Sequence, residues 1–535
     1  MITKKIKSTF VGLITVSALL AGFSSCNDYL QIYPENAVPA DKYWTNKSDV
    51  EDVLYGGYYT LRASVIDNLI PWGELRAGCV SRSRGNTHLE QFQMRPTDNS
   101  LCSWANMYQI VHAANLVLKN APRAHSNDQT YTEQEMNAHL CEAYFLRALA
   151  YFYIVRNWRD APLITEPFET DEKSFNVPKS GSDAIITQIK NDLDTAISLD
   201  AAKESFETTW ETKGRATKWA IYALMADVCL WNSDFDECIR YADMILNSNS
   251  SAAPRFMANA NTQGSWFTIF NPGNSSESIF ELQWSHEKVE VPAYQTNDLP
   301  IIFDDVNNDR LYWYSSEMVN NFRNEYIEIL NNYGNSQLDV FTRSLYGSLY
   351  IPTNTSIMAA TTGYVWKYMG GTSINGKRTT QNYDPNFIIY RVPDVMLMKA
   401  EALVMRNMGQ TPADNKEAIA LVNQIRNRTN LKSIEVYENM GFKELMDDVL
   451  YERIMELSAE GKAWYDFLRV GRYKDPEGVI NFKRDFLIEY VVKYNKTPRE
   501  AWINAVLGNE DAWYLPVSDN EIKVNPALTQ NPYYN

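Results

Sequence analysis

Residues 216–246 read ATKWAIYALMADVCLWNSDFDECIRYADMIL, and the fold is decided there. Ala216, Ala220, Ala223 and Ala226 return every three or four positions, which puts small side chains on one face of a helix. Ser233 and Asp234 then interrupt the pattern, and Asp234 stands where a second helix would take its cap. That second helix carries a small residue, Cys238, four positions on. Small residues on facing sides let two antiparallel helices approach closely, so the stretch predicts a helical hairpin.

The pattern recurs. PDVMLMKAEALVMRNMGQ, residues 393–410, is followed by ADNKEAIALVNQIRNR, residues 413–428, with Ala400, Ala402 and Ala418 as the small residues. Both units resemble tetratricopeptide repeats, whose stacked pairs bury one continuous core. The repeats are degenerate, and a period of about 34 cannot be followed along the chain. Further helices are predicted upstream. Residues 49–64 have a helical rhythm broken at Gly56–Gly57. Residues 103–122 place Trp104, Tyr108, Val111 and Asn115 about a turn apart, with Pro122 closing the run. Residues 132–158 open with Thr132 and Glu135, a capping-box spacing. Residues 71–100 read as loop. Residues 250–385 are rich in Asn, Ser, Gly, Pro and aromatics, with strand-like pieces such as SIFELQW and YVWKYM. That is too long for a plain connection. The expectation is a mainly α fold of tetratricopeptide-like helical pairs at 49–249 and 386–535, with an irregular, loop-rich insert at about 250–385 carrying short strands.

At 535 residues the chain exceeds what one ordinary core supports, which agrees with a repeat architecture. Its first 26 residues are a leader. Lys4, Lys5 and Lys7 precede an apolar run from Phe10 to Leu20, then small residues, then Cys26. Residues 1–25 read as a lipoprotein signal peptide. Cys26 is the acylated N-terminus of the mature chain, and residues 26–48 a tether to one domain spanning 49–535. The formal charge of −16 has no basic cluster after the leader, which argues against nucleic acid. Five cysteines remain beyond Cys26, so complete pairing is impossible, and none lies in a C-x-x-C pair. Cys141, Cys229 and Cys238 fall within helical patterns and read as small buried residues; Cys79 with Cys102 is the one plausible disulfide. Aromatics are abundant, with 14 Trp, 33 Tyr and 21 Phe. Their flat faces suit sugar rings as well as cores and interfaces.

No catalytic constellation emerges. Glu452, Arg453, Glu456, Glu460 and Arg469 read as a scaffold ion-pair network, because neighbouring arginines would keep the acids ionised. The alternative, Glu456 and Glu460 as paired catalytic carboxylates one turn apart, lacks a nucleophile and a substrate pocket. Gly371 to Lys377 fits G-x-x-x-x-G-K, but Arg378 stands where Ser or Thr must hold magnesium. The five histidines form no zinc motif. No cofactor is expected, and the acidic loop Asp304–Asp309 reads as solvated rather than as a calcium site.

Several blocks in order carry a family resemblance: CEAYFLRALAYFYIVRNWRDAPLI (141–164), YRVPDVMLMKAEAL (390–403), VNQIRNR (422–428), VLYERIMELSAEGKAWYDFLRVG (449–471, with Phe467 where Leu is usual) and YLPVSDNEIKVNPALTQNPYY (514–534). The chain resembles the SusD/RagB family of outer-membrane nutrient-binding lipoproteins along essentially its whole mature length. The resemblance implies a surface-exposed, lipid-anchored glycan-binding protein of the outer membrane, not an enzyme. It also implies a SusC-like TonB-dependent transporter as partner. The alternative within the family is peptide capture. Members place their binding face in loops near the first helices and in the irregular insert. The candidates at those positions are Trp72, Arg76, Arg82, Asn86, Tyr294, Tyr312 and Trp313. Trp104 is set aside, since its spacing to Tyr108 looks like a packed helix face.

Overall fold

Helical pairs build the molecule, as the alanine spacing requires. The computed structural model describes residues 43–535 except 83–86, 170–174, 285–302, 304–310, 334–342, 346, 352–354, 371–384, 438–439 and 476–479. Cys26, Asn86, Tyr294, the acidic loop 304–309 and the glycine-lysine loop 371–377 lie outside the described residues.

Helix α1 is Lys47–Ser64, α2 Ala105–Asn127, α3 Glu133–Trp158, α4 Ser182–Ser198, α5 Lys218–Trp231 and α6 Phe235–Leu246. Across the insert, α7 is Ser316–Tyr333, α8 Val392–Arg406, α9 Pro412–Arg428, α10 Phe442–Glu456 and α11 Ala463–Gly471. Each helix packs on its sequence neighbour from α1 to α6; α6 then packs on α8, and α8 on α9 and α10. The two predicted hairpins, α5–α6 and α8–α9, are therefore stacked directly, although the whole insert separates them in sequence.

Small residues sit at these contacts. Ala220, Ala223, Ala226, Ala400, Ala402 and Ala418 are all fully buried, and the Cys238 thiol lies 3.8 Å from the Met398 carbonyl of α8. Thr132 caps α3 as its spacing predicts: its Oγ1 accepts from the Glu135 amide, and Glu135 accepts from the Thr132 amide at 3.0 Å. Asp234 occupies the cap position of α6 without capping it. Its carboxylate instead accepts from Lys190 and Asn232.

Two helix boundaries differ from expectation. α1 runs unbroken through Gly56–Gly57, because Gly57 faces Leu146 and Ala113, where a Cβ would meet the Leu146 methyl at 3.2 Å. Its missing side chain admits the neighbouring helices rather than ending the helix. α2 continues past Pro122 to Asn127. Pro122 is on the solvent side, where its ring meets no other described element, while Ala121 and Ala124 hold the last turn to the core.

The five described cysteines are all buried free thiols, Cys79 and Cys102 included, so the expected bridge between these two does not form. Cys102 Sγ instead lies 3.1 Å from the Asp98 carbonyl, its helical i−4 neighbour. Burial raises the thiol pKa values, to about 12 for Cys102, Cys141 and Cys229.

The insert is attached by strands and by buried charge. Strand Ser278–Leu282 pairs antiparallel with Phe387–Arg391, which runs straight into α8. Beneath it, Arg343, Lys367, Glu277 and Glu325 of the insert meet Arg391, Arg428, Glu452, Glu456 and Glu460 of the scaffold, all essentially unexposed. Arg391 donates to Glu456 at 2.5 Å, to Glu460 at 2.9 Å and to Glu277 at 3.0 Å. Arg343 donates to Glu325 at 2.6 Å and also binds Glu452. With Arg426, 3.8 Å from Glu452, cations and carboxylates balance. The expected network is thus two networks. Arg453 and Arg469 belong to a second, with Asp394, Asp466 and Glu401.

The C-terminal tail is clasped to the end of α3. The Leu515 amide donates to the Asn157 carbonyl at 2.7 Å, and the Trp158 indole to the Pro516 carbonyl at 3.0 Å. A short helix, Asp519–Val524, follows.

Candidate functional site

A small ribbon joins the loops after α1 to the insert. Strand Val80–Arg82 pairs antiparallel with Tyr312–Tyr314, setting Ser81 opposite Trp313 and Arg82 opposite Tyr312. The Tyr314 amide then donates to the Gly363 carbonyl at 2.9 Å, an antiparallel bridge that sets Trp313 opposite Tyr364. Tyr364 in turn lies opposite Tyr350 on strand Leu349–Tyr350. Alternation does the rest. Val80, Tyr314, Val365 and Leu349 point inward and are buried. Ser81, Trp313, Tyr364 and Tyr350 share the other face and are half-buried.

The outcome is a cross-strand aromatic row, Trp313–Tyr364–Tyr350. Strands lie about 5 Å apart, so three rings span about 10 Å. Tyr350 is backed by Trp366, stacked at 4.3 Å, and Tyr364 meets Tyr350 edge-on at 5.8 Å. Such contacts hold rings in place before a ligand arrives. The close approach needs Gly363: a Cβ there would fall 2.1 Å from the Leu349 methyl.

Arg82 sits at the end of the ribbon, with its guanidinium 5.7 Å from the Tyr312 ring. Burial pushes the Tyr312 hydroxyl up to about 12. It also pushes Glu90 up to about 7, against the amide of Arg82, which bonds the carboxylate.

Arg82, Tyr312 and Trp313 are brought together by the register, and of these Trp313 reaches the half-exposed face; Arg82, directly opposite Tyr312, lies on the other side of the ribbon and is half-buried. Tyr312 is buried and supports the ribbon from beneath. Trp72 and Arg76 are corrections. Trp72 is fully buried, its indole donating to the Leu101 carbonyl at 2.8 Å and its ring edge-on to Trp158 at 5.2 Å. Arg76 lies under the surface with its guanidinium 4.0 Å from the Trp464 ring, donating to the Trp513 carbonyl at 2.6 Å. Burial lowers its pKa to about 10. Trp72 lies in, and Arg76 caps, a tightly wound helical stretch over residues 65–75 that packs into the core instead of forming an open loop. Trp104 is buried edge-on against Tyr108 and Trp158, as its spacing suggests. The residues missed are Tyr350 and Tyr364. The alternation in YVWKYM was the available signal for Tyr364; nothing local marked Tyr350.

The paired carboxylates do not form a reactive site. Burial would raise Glu456, but Arg428, Arg391 and Arg343 beside it hold the carboxyl well below the usual range. Glu460 is bound by Lys367 at 2.6 Å and Arg391. Among the described residues no group of His, Cys, Asp or Glu could hold a metal ion. No described helix is long and apolar enough to cross a membrane.

A stack of tetratricopeptide-like pairs carrying a strand-edged insert defines a mainly α class of fold. Two family profiles match: the SusD family over residues 283–534, and one described as starch-binding associating with outer membrane over residues 77–230. The chain belongs to the SusD/RagB family. It is 25% identical over 515 residues to a SusD-like protein of Formosa agariphila, covering 89% of this chain and 94% of that one. A SusD-like protein of Bacteroides ovatus is 25% identical over 504 residues, with 88% and 84% covered. Among solved structures, a SusD superfamily protein of Bacteroides thetaiotaomicron superposes with a TM-score of 0.67 at 21% identity, covering 92% of this chain and 99% of that one. A laminarin-binding SusD-like protein superposes with a TM-score of 0.65 at 20% identity, covering 92% and 100%.

Proposed function

We propose that this protein captures glycans at the outer surface of the outer membrane and delivers them to a SusC-like TonB-dependent transporter without altering them. The observation that carries the reading is the aromatic row Trp313–Tyr364–Tyr350, pre-set by register and ring packing on a half-exposed face. Sugar C–H faces stack on such rings. The lipid anchor is assigned to Cys26, with residues 26–48 as tether. Because a family relative is named for binding laminarin, a β-glucan is the first ligand to test.

Calorimetric titration of the mature chain with laminarin, starch and mixed oligopeptides tests this. A glycan should bind, and Trp313→Ala should weaken it at least tenfold with an unchanged far-UV spectrum. The oligosaccharide should be recovered intact. Binding of peptides alone would move the reading to peptide capture, and shortened oligosaccharide would end the capture-only account. Cys26→Ala should release the protein from membranes of cells lacking the transporter.

A further inference from the structure

Well away from the ribbon in sequence, a concavity opens between α2, residues 162–168 and 175–177, and the helix Asp519–Val524. Its volume is about 600 Å³. Trp104, Tyr108, Phe168, Phe175, Val524 and Leu528 give it apolar and aromatic walls. This size lies within the range of small-molecule sites, roughly 300–1,000 Å³. It is several times the cavity of about 150 Å³ that holds benzene.

The polar groups of the lining divide into two sets. Tyr108 donates to the Pro162 carbonyl at 2.6 Å, Asn115 to the Ile164 carbonyl at 3.0 Å, and Asn525 to the Val177 carbonyl at 2.8 Å. These three bind the walls to one another. Glu521 is different. It is half-buried at the apolar lining, and its carboxylate is bonded by the Trp104 side chain. Among the described lining residues there is no Lys or Arg. Burial lowers the pKa of His112, keeping it neutral near pH 7, and burial raises that of Glu521. A desolvated carboxylate in such surroundings gains most from a ligand that brings a cation.

We propose that this cleft is a binding site, separate from the glycan face, for a small aromatic amine: a planar ring against Tyr108, Phe168 and Phe175, with its ammonium on Glu521. A sugar fits the chemistry less well, since the apolar walls would leave most of its hydroxyls without partners. Phe168 and Phe175 are packed on one another at 4.9 Å, and Phe175 is 54% exposed, so the rim is already aromatic before a ligand enters.

Three indoles differing only in their charged end test this by calorimetry on the mature chain: tryptamine, tryptophol and indoleacetate. Tryptamine should bind saturably at one site, at least tenfold more tightly than indoleacetate, with tryptophol between. Glu521→Gln should lower tryptamine affinity at least tenfold and abolish the discrimination. Phe175→Ala, at an exposed rim position that leaves the core intact, should weaken tryptamine and tryptophol alike. A laminarin oligosaccharide should not displace tryptamine, so loss of glycan binding would leave this site standing. No saturable tryptamine binding, equal affinity in Glu521→Gln, or displacement by the oligosaccharide would each overturn the assignment.

Discussion

The helical scaffold and the insert are held in opposite ways. α5, α6, α8 and α9 meet through alanines, a cysteine and apolar side chains, and the ion pairs of Lys399 and Arg406 with Asp243 and Asp236 lie at the edge of that contact rather than in its middle. The insert meets that scaffold through five buried carboxylates and their cations, beside two short strand pairs and buried ring contacts such as Phe280 with Phe145 and Tyr58. Helices carry periodic apolar faces that select a partner by shape. Short strands in irregular sequence do not, and charge pairing supplies the register instead. Such pairing adds little net stability, but it penalises misplacement heavily, because any unpaired member is a buried charge. The candidate ribbon, formed from both regions, inherits its geometry from that constraint.

Breaking the charged contact should have the largest effect. Glu456→Ala takes one carboxylate from Arg391 and Arg428, so that cations outnumber acids in the interior, and should cost about 3–5 kcal/mol in urea unfolding. If it costs under 1 kcal/mol by the same measure, on the order of a surface pair, the contrast fails. On the scaffold side, Leu224→Ala in α5, a fully buried position, should cost about 2–5 kcal/mol through the cavity it leaves. There the insert's proteolytic resistance should be unchanged, whereas Glu456→Ala should expose the insert to limited proteolysis.

Glu74 sharpens the comparison, being a buried carboxyl with no cation bonded to it. Its Oε1 accepts from the Lys462 amide at 3.0 Å, and its Oε2 has no partner among the described residues. Burial raises its pKa from 4.5 to about 7. The folded state therefore holds this proton where the unfolded chain has lost it. The stabilisation is complete below the unfolded value and disappears as pH rises through the folded one. Unfolding free energy should fall by about 1–3 kcal/mol between pH 5 and 8 on this account, and Glu74→Gln should flatten that part of the profile. Glu456, with its pKa depressed, should show no loss in the same window. The smallest effect is expected at the surface end of α3: Thr132→Ala should cost about 1 kcal/mol by thermal unfolding.

The helical pairs were legible because a 3.6-residue period and small residues are local signals. The capping box at Thr132 was legible for the same reason. The charged contact was half legible. Glu452, Glu456 and Glu460 stand together in sequence, but Arg343, Lys367, Glu277 and Glu325 are scattered through a segment with no period to place them. At the site, Arg82, Tyr312 and Trp313 do share one ribbon, although nothing in their spacing joins residue 82 to residue 312. Trp72 and Arg76 misled because loop-like composition does not distinguish a turn on the surface from one wound into the core. Tyr350 and Tyr364 were missed because a two-residue strand has too little alternation to reveal which side chain faces outward.

The five buried thiols have a practical consequence. Each is shielded from solvent and held in its protonated, poorly nucleophilic form, so none should react with a thiol reagent while the chain is folded. The native molecule is thus chemically silent at sulfur. A single cysteine introduced at Tyr364 or Val524 would be the one reactive point on a soluble, leader-free chain, ready to carry a fluorophore beside the ribbon or the cleft. The buried five would then become a clock, appearing together to a colorimetric reagent when the scaffold opens.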